Sequence, residues 1–393
     1  MSAPVVVFAG GGTGGHVFPM MAVADAMRAE AEVRVVFVGT ERGIETRVLP
    51  ARGDELELLE VLPIKGQGAM GAARGVLRAA ATLPEARRIL QRLAPRAVLA
   101  VGGYASGPVG LVAGLLRVPL AIMEPNSVLG LSNRWLLPLA RRAYLAFAET
   151  GIGMRARIVR QMGVPLRGKF VPSAYRPVDG VVRVLVLGGS QGARVLNEVL
   201  PEAFAKAARE LKGLTILHQA GRGRDDEVRR AYQSAKVEAN VVAFLDDVAS
   251  ELGRADLVIA RSGAGSVAEL CAVGRAGILV PFAQAADDHQ RRNAEAVARA
   301  GGAVVVPQSE ASAERLAREV SALGNDVAAR VRMADAARGL GRPHAAREVA
   351  RDLLELAGIV RRGNGDLGVT RGTDGGGGGS GTSSREMREV RGV

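Results

Sequence analysis

A glycine-rich loop near the start of the chain carries residue types suited to chemistry. Residues 10–16 have the sequence GGGTGGH, after an apolar run over residues 5–9 and before a helical pattern over residues 17–29. Backbone amides without a neighbouring Cβ, at the positive end of a helix dipole, bind anionic groups. The loop is therefore predicted to bind a phosphate or pyrophosphate. His16 is predicted to act as a base toward a hydroxyl held there, with a structural role as the alternative.

Two later segments have the same pattern of strand, loop and helix. Residues 188–192 (GGSQG) follow an apolar run over residues 181–187, and residues 261–269 (RSGAGSVAE) follow another over residues 257–260. In the later segment the N-terminal amides of the helix are predicted to bind a pyrophosphate, and Glu269 to accept hydrogen bonds from ribose hydroxyls. Two glycine loops predict either two ligands or one ligand held from both halves of the chain.

The first loop also contains the spacing G-x-G-x-x-G at Gly10, Gly12 and Gly15, with Glu41 after the second predicted strand. This spacing is typical of dinucleotide-binding folds, in which an acidic residue binds the ribose, so it would indicate an NAD enzyme. The spacing alone is weak evidence. His16 and the two additional loops favour a different ligand, and Glu41 is expected on a surface turn.

The elements that position these loops alternate between buried strands and helices, which predicts βαβ units around a mostly parallel sheet. The fold class is therefore predicted to be α/β with two Rossmann-like domains, residues 1–165 and 166–360. The last helix is a candidate to return to the first domain. A Gly- and Ser-rich tail over residues 361–393 is expected to be flexible. The predicted strands cover residues 5–9, 33–38, 97–101, 120–123, 181–187, 214–219, 240–244, 257–260, 278–280 and 303–306.

Composition limits the class of protein. The 393 residues include a single cysteine, Cys271, which excludes an internal disulfide framework and is predicted to be buried on a helix. Aromatic residues make up 3%, which argues against a nucleic-acid surface built on stacking. Neither a membrane span nor a signal peptide is predicted. Asp287, Asp288 and His289 are adjacent, but they are expected on a solvated surface and not at a metal.

Most of the positive charge lies in one part of the chain. The formal net charge is +12, and between Lys65 and Arg160 there are 14 basic residues against three acidic ones. Such a surplus attracts nucleic acid, anionic lipid headgroups or a pyrophosphate substrate; a generally arginine-rich composition is the alternative. Residues 66–93 are hypothesised to form a patch that binds an anionic membrane surface. Two amphipathic helices with solvated basic faces are the alternative.

Seven segments in combination resemble the MurG family of glycosyltransferases, over residues 5 to about 355. The resemblance implies a GT-B fold, with two Rossmann-like domains facing across a cleft. It also implies an inverting enzyme that needs no cofactor or tightly bound metal and is peripheral on the cytoplasmic face of the plasma membrane. The segments are GGGTGGHVFP from Gly10, GTERGIE from Gly39, VGGYASGP from Val101, EPNSVLGLSNR from Glu124, GGSQGAR from Gly188, RSGAGSVAE from Arg261 and DDHQRRNA from Asp287.

The reaction implied by this resemblance is transfer of GlcNAc from UDP-GlcNAc to the 4-hydroxyl of MurNAc in lipid I, a polyprenyl-pyrophosphate-linked acceptor. The product would be lipid II for peptidoglycan. The partners implied are the donor, the acceptor, an anionic membrane surface and cell-wall synthesis or division proteins, and no nucleic acid is expected. A UDP-GlcNAc 2-epimerase, which shares the two-domain plan, is the alternative. A non-catalytic UDP-sugar-binding subunit is a further one.

The resemblance also implies roles for individual residues. The sequence departs from the family pattern at Pro125 and Val164, where Gln and Asn are usual, and this affects the expected placement of Arg167. The implied contacts are Thr13, Gly14 and Gly15 beside the sugar diphosphate and the acceptor pyrophosphate, His16 as the base, Asn126 facing the donor sugar, Arg167 and Ser190 on the UDP moiety, Leu245 on uracil through its backbone, Ala264, Gly265, Ser266, Val267, Ala268 and Glu269 on the phosphates and ribose, and Gln290 and Asn293 on the GlcNAc hydroxyls.

Overall fold

Two parallel β-sheets form the framework of the protein in the computed structural model, which describes residues 2–60, 81–178, 180–189 and 192–362. The strands of the first sheet are β1 (Val5–Gly10), β2 (Arg34–Thr40), β3 (Glu55–Leu59), β4 (Ala97–Gly102), β5 (Leu120–Glu124), β6 (Arg142–Leu145) and β7 (Val159–Gln161). Their order is β3-β2-β1-β4-β5-β6-β7, and neighbouring strands are parallel.

The second sheet repeats this plan. Its strands are β8 (Val182–Leu187), β9 (Leu214–Gln219), β10 (Asn240–Val242), β11 (Leu257–Ala260), β12 (Ala276–Leu279) and β13 (Ala303–Val305). Their order is β10-β9-β8-β11-β12-β13, again with parallel neighbours.

Helices connect the strands of both sheets. Those in the described residues are α1 (Gly14–Glu30), α2 (Glu45–Val48), α3 (Leu83–Leu93), α4 (Ser106–Leu115), α5 (Leu131–Leu136), α6 (Arg194–Ala207), α7 (Asp225–Ser234), α8 (Val248–Arg254), α9 (Ala264–Val273), α10 (His289–Arg299), α11 (Ala313–Asn325), α12 (Val327–Leu340) and α13 (Ala345–Leu356). Short 3-10 turns occupy Pro50–Arg52, Leu137–Leu139, Ala148–Gly151, Ala286–Asp288 and Gln308–Glu310.

Continuous apolar sequence explains the central strands. Every residue of β1 and β4 is buried, as expected for parallel strands with helices on both faces. The sequence pattern does not predict β3, β6 or β7. Strand β3 lacks the continuous apolar run by which the other strands were predicted, and β6 and β7 are only four and three residues long, each with an arginine. These strands form because they pair with neighbours already in the sheet.

The order of each sheet reverses beside its first strand. Strand β1 lies between β2 and β4, and β8 lies between β9 and β11. A reversal of this kind opens a crevice at the carboxyl ends of the strands, where ligands bind in doubly wound folds. Both glycine loops directly follow β1 and β8, so they lie at these crevices. The predicted α/β class with two Rossmann-like sheets is confirmed.

Helix α13 packs against the layer of the first sheet. Its apolar residues, including Val349 and Leu353, share a buried core with Met20 and Met27 of α1. The hydroxyl of Tyr144 donates to Asp352 at 2.7 Å, and Nε of Arg142 donates to the same carboxylate at 3.0 Å. The last described helix is therefore anchored on the N-terminal half by both apolar packing and a polar network.

Cys271 lies on α9 and is buried, as predicted, and burial raises the pKa of its thiol to about 12. None of the helices in the described ranges is long and apolar enough to cross a membrane. The predicted flexible tail lies almost wholly outside the described residues, which end at residue 362.

Candidate active site

The first glycine loop holds His16 in a defined orientation. Its Nδ1 atom lies 3.1 Å from the carbonyl oxygen of Gly11. Because a carbonyl oxygen can only accept, Nδ1 is assigned the hydrogen and Nε2 keeps its lone pair. A Cβ at Gly102 would lie 3.1 Å from Nε2, so this nitrogen faces the turn that ends β4. The arrangement leaves Nε2 able to accept a proton.

The turn that faces His16 requires glycine. Gly102 and Gly103 have φ angles of 104° and 83°, in the region that side chains disfavour. A Cβ at Gly103 would lie 2.6 Å from the carbonyl oxygen of Gly11. The hydroxyl of Ser132 donates to the carbonyl of Gly103 at 3.1 Å and holds the turn from the other side. The VGGYASGP segment thus forms a second wall of the loop.

Glu45 lies under the first glycine loop and was not among the predicted site residues. Its side chain is fully buried, and Oε2 accepts the N–H of Gly12 at 2.8 Å. Oε1 accepts the N–H of Thr40 at 3.0 Å and its hydroxyl at 3.2 Å. Glu41 is exposed on a turn, as expected. The signal for Glu45 was the pair of glycines, Gly39 and Gly43, that precede it in GTERGIE.

Glu124, also absent from the predicted set, organises the loop after β5. One oxygen accepts the backbone and side-chain N–H groups of Asn126, both at 3.1 Å. The other accepts the N–H of Gly130 at 2.9 Å and the side chain of Asn133 at 3.0 Å. The carboxylate is buried and fully used. It fixes the loop so that Asn126 is held at the carboxyl end of the strand.

Asn126 and Asn293 connect the two halves of the chain. Asn293 lies on α10 and is fully buried; its Oδ1 accepts the N–H of Ser127 at 2.9 Å. Its Nδ2 donates to Asn126 Oδ1 at 3.3 Å and to the Ser262 carbonyl at 3.2 Å. Gln290, on the same helix, accepts the N–H of Phe282 through Oε1 at 3.1 Å. Asn126 and Asn293, both predicted to bind the sugar, are therefore in direct contact.

Helix α9 begins with free amides at the carboxyl end of β11. Val267 N–H donates to the Gly263 carbonyl at 3.0 Å, so the amides of residues 264–266 have no partner within the helix. The side chains of Ala264 and Val267 are buried in the core, and Ala268 packs against it. Among residues 264–268, which are predicted to bind the phosphates and ribose, the first three therefore have backbone amides available to a ligand. Val267 and Ala268 support the helix from behind.

Glu269 lies one turn into this helix, within range of the charge of Arg167. Burial raises the pKa of Glu269 to about 7, and the positive charge of Arg167 opposes that rise. The guanidinium of Arg167 also lies 5.4 Å from the ring centroid of Phe18 on α1, a cation–π distance. The sequence departs from the family pattern at Val164 and Pro125, but Arg167 still lies between the two halves. It is near Glu269, the residue predicted to bind the ribose.

The second glycine loop borders a cavity of about 680 Å³. Gly192, Arg194, Arg224, Arg261 and Gln290 contribute to its lining. Arg261 donates to the carbonyls of Val280 and Pro281, both at 3.1 Å, which holds its guanidinium in place. Leu245 is half-buried after β10 and packs on the C-terminal core. Ser190 lies outside the described residues.

Comparison with known proteins decides the family. The model of the glycosyltransferase family 28 N-terminal domain matches residues 6–145, and that of the C-terminal domain matches residues 183–350. A protein of Sorangium cellulosum named UDP-N-acetylglucosamine--N-acetylmuramyl-(pentapeptide) pyrophosphoryl-undecaprenol N-acetylglucosamine transferase is 55% identical over 361 residues, covering 91% of this chain and 89% of that protein. The crystal structure of Acinetobacter baumannii MurG is 31% identical, with a TM-score of 0.76 over 90% of this chain and 99% of that one. The chain belongs to the MurG family of glycosyltransferases.

Membership of the MurG family confirms the predicted GT-B fold and the glycosyltransferase activity. The crystal structure of UDP-GlcNAc 2-epimerase from Neisseria meningitidis, bound to UDP-GlcNAc, covers 90% of this chain and all of its own. Its TM-score is 0.62, but its identity is 12%, so it shows a shared fold alone. The dehydrogenase hypothesis, which depended on loop spacing and Glu41, gives way to the MurG assignment.

The DDHQ segment that begins α10 in this MurG-family chain is held by charge pairing. Asp287 and Asp288 both have left-handed conformations, with φ of 51° and 54°. The carboxylate of Asp288 pairs with Arg291. Within the described ranges, no three His, Cys, Asp or Glu side chains lie together as a metal site would require.

The hypothesised membrane patch over residues 66–93 stays a prediction, because only part of it lies in the described ranges. Residues 66–80 lie outside the described ranges, and α3 covers most of the remainder. Ile89 and Leu90 are buried in the N-terminal core, whereas Arg87 and Arg88 are exposed. The apolar residues of α3 cover the sheet and cannot enter a lipid surface. This helix is amphipathic, with its apolar face on the sheet and its basic face exposed.

Proposed function

We propose that the protein transfers GlcNAc from UDP-GlcNAc to the 4-hydroxyl of MurNAc in lipid I, with inversion at the sugar carbon. The observation that carries this proposal is His16. With the hydrogen assigned to Nδ1, Nε2 keeps a lone pair to accept a proton, in the half of the chain that supplies Asn126 to the contact between Asn126 and Asn293. The free amides of α9 open on the C-terminal side of the same contact. A base and an anion site on opposite sides of a cleft suit displacement of a nucleoside diphosphate by a hydroxyl.

In this reaction His16 takes the proton of the acceptor hydroxyl as its oxygen bonds to C1 of the sugar. The bond from C1 to the diphosphate oxygen breaks on the opposite face, which inverts the configuration. Negative charge gathers on the departing UDP. The amides of Ala264, Gly265 and Ser266 and the guanidinium of Arg167 stabilise that charge.

The remaining contacts are proposed from the family resemblance. Glu269 accepts hydrogen bonds from the ribose, while Leu245 meets uracil through its backbone and Ser190 meets the UDP moiety. Gln290 and Asn293 bind the GlcNAc hydroxyls, with Asn126 facing the same sugar. The amides of Thr13, Gly14 and Gly15 bind the acceptor pyrophosphate, since the start of α1 presents them outward.

The surface that meets the membrane on its cytoplasmic face is proposed to lie on α4 and α5. Leu115 and Trp135 are 71% and 59% exposed, far more than apolar side chains in a core. A Cβ at Gly110 of α4 would lie 2.5 Å from Leu136 of α5, so the two helices adjoin. Other exposed members of this surface are Leu111, Leu131 and Leu139, with basic Arg117, Arg134 and Arg141 beside them. Association with cell-wall synthesis or division proteins stays a prediction of the family resemblance.

Vesicle flotation tests this surface. Vesicles with anionic lipid are expected to carry the protein, and Leu115→Asp with Trp135→Ala is expected to release it. Replacement of buried Ile89 by Val is the matched control, because it lies on the neighbouring α3 but faces the core. Equal flotation of the double variant would contradict the proposed surface.

The reaction is tested by UDP release from UDP-GlcNAc, with and without a lipid I analogue. Release that depends on the acceptor and collapses in His16→Ala supports both the transfer and the base. The control is His344→Ala, which removes an exposed histidine before α13. A full rate in His16→Ala would leave the transfer standing and remove the base role. Sugar isomerisation without acceptor dependence would indicate the epimerase instead.

A further inference from the structure

One peptide group in the first glycine loop is hydrogen-bonded on both sides. The N–H of Gly12 donates to Glu45 Oε2 at 2.8 Å, and the C=O of Gly11 accepts from His16 Nδ1 at 3.1 Å. Both groups belong to the same peptide bond, which is planar, with its N–H and C=O pointing in opposite directions. An orientation imposed at Glu45 is therefore transmitted to His16.

The surroundings of Glu45 fix its carboxyl group. The N–H and hydroxyl of Thr40 hold Oε1, so the carboxyl cannot turn without losing both bonds. Gly11, Gly39 and Gly43 enclose it. A Cβ at Gly11 or Gly43 would overlap the carboxyl group, and one at Gly39 would lie 2.6 Å from Cγ. These three glycines form a socket that accepts Glu45 only because they lack side chains.

We propose that Glu45 is a positioning residue that acts on His16 through the Gly11–Gly12 peptide. An N–H bonded to a carboxylate polarises its amide and strengthens the carbonyl as an acceptor. That carbonyl holds the hydrogen on Nδ1 of His16, so Nε2 remains the proton-accepting nitrogen. The proposal rests on His16 being the base. It gives the GTERGIE segment a part in the reaction without contact with substrate.

Three substitutions separate positioning from simple support. Glu45→Gln keeps the shape, but one of its terminal atoms donates, so it cannot accept from both Gly12 and Thr40 amides. Glu45→Asp withdraws the carboxylate by one methylene and serves as the second variant. Thr40→Val is the matched control: it removes the hydroxyl bond to Oε1 and leaves both amide bonds in place.

The first readout is the imidazole ¹⁵N spectrum of the full-length protein labelled at its four histidines. The His16 signal is identified by its loss in His16→Ala. At a pH where the ring is neutral, wild type and Thr40→Val are expected to show the hydrogen on Nδ1. Glu45→Gln and Glu45→Asp are expected to show a mixture of both tautomers. This measurement needs no substrate, so it stands apart from the proposed reaction.

The second readout is kinetic. Glu45→Gln is expected to lower kcat roughly tenfold or more, a part of what a general base contributes, with the KM for UDP-GlcNAc within about twofold of wild type. In the His16→Ala background the same substitution is expected to change kcat less than about twofold, because the path through His16 is gone.

Several outcomes would overturn the proposal. These are a wild-type His16 with the hydrogen on Nε2, an unchanged tautomer in both Glu45 variants, or a full effect of Glu45→Gln in the His16→Ala background. If His16→Ala keeps the wild-type rate while the tautomer still follows Glu45, the base role fails and the positioning of the ring stands.

Discussion

Asn293 donates from Nδ2 to Oδ1 of Asn126 at 3.3 Å, across 167 positions of sequence. Asn126 follows β5 of the first sheet, and Asn293 lies on α10 beside the second. The same asparagine accepts the N–H of Ser127 and donates to the carbonyl of Ser262, just before α9. One buried side chain thus joins the loop after β5 in one half to the segment before α9 in the other.

Replacing Asn293 by Ala is expected to weaken donor binding and lower stability together. The change leaves the Ser127 N–H and the Ser262 carbonyl without a partner, at a cost of about 1–3 kcal/mol. Urea unfolding and the KM for UDP-GlcNAc measure the two effects. Asn325→Ala is the control, since Asn325 is exposed and its Nδ2 makes a 3.4 Å bond to the Glu210 carbonyl. An unchanged KM in Asn293→Ala would contradict the proposed sugar contact.

Binding of UDP is expected to tighten as pH rises through about 7. Burial raises the pKa of Glu269 from 4.5 to about 7, so the carboxylate that we propose accepts ribose hydroxyls forms above that pH. Calorimetric titration of UDP at about pH 6 and about pH 8 measures the change. Glu269→Gln is expected to bind more weakly and without this pH dependence. The same pH profile in the variant would assign the dependence to another group.

Stability of the free protein is expected to respond to Glu269 in the opposite direction. The folded state binds this proton more tightly than the unfolded chain does. The contribution of Glu269 to the free energy of unfolding is therefore full below pH 4.5 and falls as pH rises through about 7. Arg167→Ala is expected to move this window upward, because the charge of Arg167 lowers the pKa of Glu269. A downward shift on removing Arg167 would contradict the placement of these two groups.

Acid is expected to destabilise the C-terminal domain through His218. This side chain is fully buried, 2.8 Å from the Tyr232 hydroxyl and 3.1 Å from Asn197 Oδ1, and burial lowers its pKa from 6.5 to about 3. The unfolded chain takes up the proton first, so stability is lost as pH falls below 6.5 toward 3. Between pH 7 and pH 5 the loss is expected to be about 2 kcal/mol.

The His218 prediction is best measured in the Glu269→Gln background, which removes the opposing contribution of that carboxyl group. Guanidinium unfolding at about pH 7 and about pH 5 gives the difference. His218→Gln is expected to be less stable than the parent protein at neutral pH. It is also expected to lose the part of the stability decrease between pH 7 and pH 5 that comes from His218. Removing exposed His344 is expected to leave the difference unchanged. An equal acid loss in His218→Gln would show that another group is responsible.

Gly102→Ala is expected to lower kcat even in protein that remains folded. The new methyl would lie 3.1 Å from Nε2 of His16 and would displace the ring, and the φ of 104° adds backbone strain. Gly180→Ala is the control: its φ of 76° imposes similar strain, but a Cβ there would meet nothing within 4 Å. Thermal unfolding and acceptor-dependent UDP release separate the two effects. Equal rates in both variants would show that the ring does not depend on this turn.

Local sequence properties determined much of this protein. Apolar runs, glycine loops and helical periodicity are read within a few residues, so they predicted the two series of strands and the loops at residues 10–16 and 188–192. Seven short segments in combination were enough to indicate the family. They also marked Asn126 and Asn293, whose side chains the structure joins by a hydrogen bond. Burial of Cys271 was predicted from its residue type, since a free cysteine on a helix behaves as a small apolar side chain.

Only the tertiary structure decided which polar groups act together. Glu41 and Glu45 lie four residues apart and are chemically identical, yet one is exposed on a turn and the other is enclosed by glycines beneath the loop. The sequence left Ile89 and Leu90 as candidates for contact with a membrane, whereas the structure buries both against the first sheet. Burial and hydrogen-bond partners depend on segments far apart in sequence, and these contacts exist only once the chain is packed.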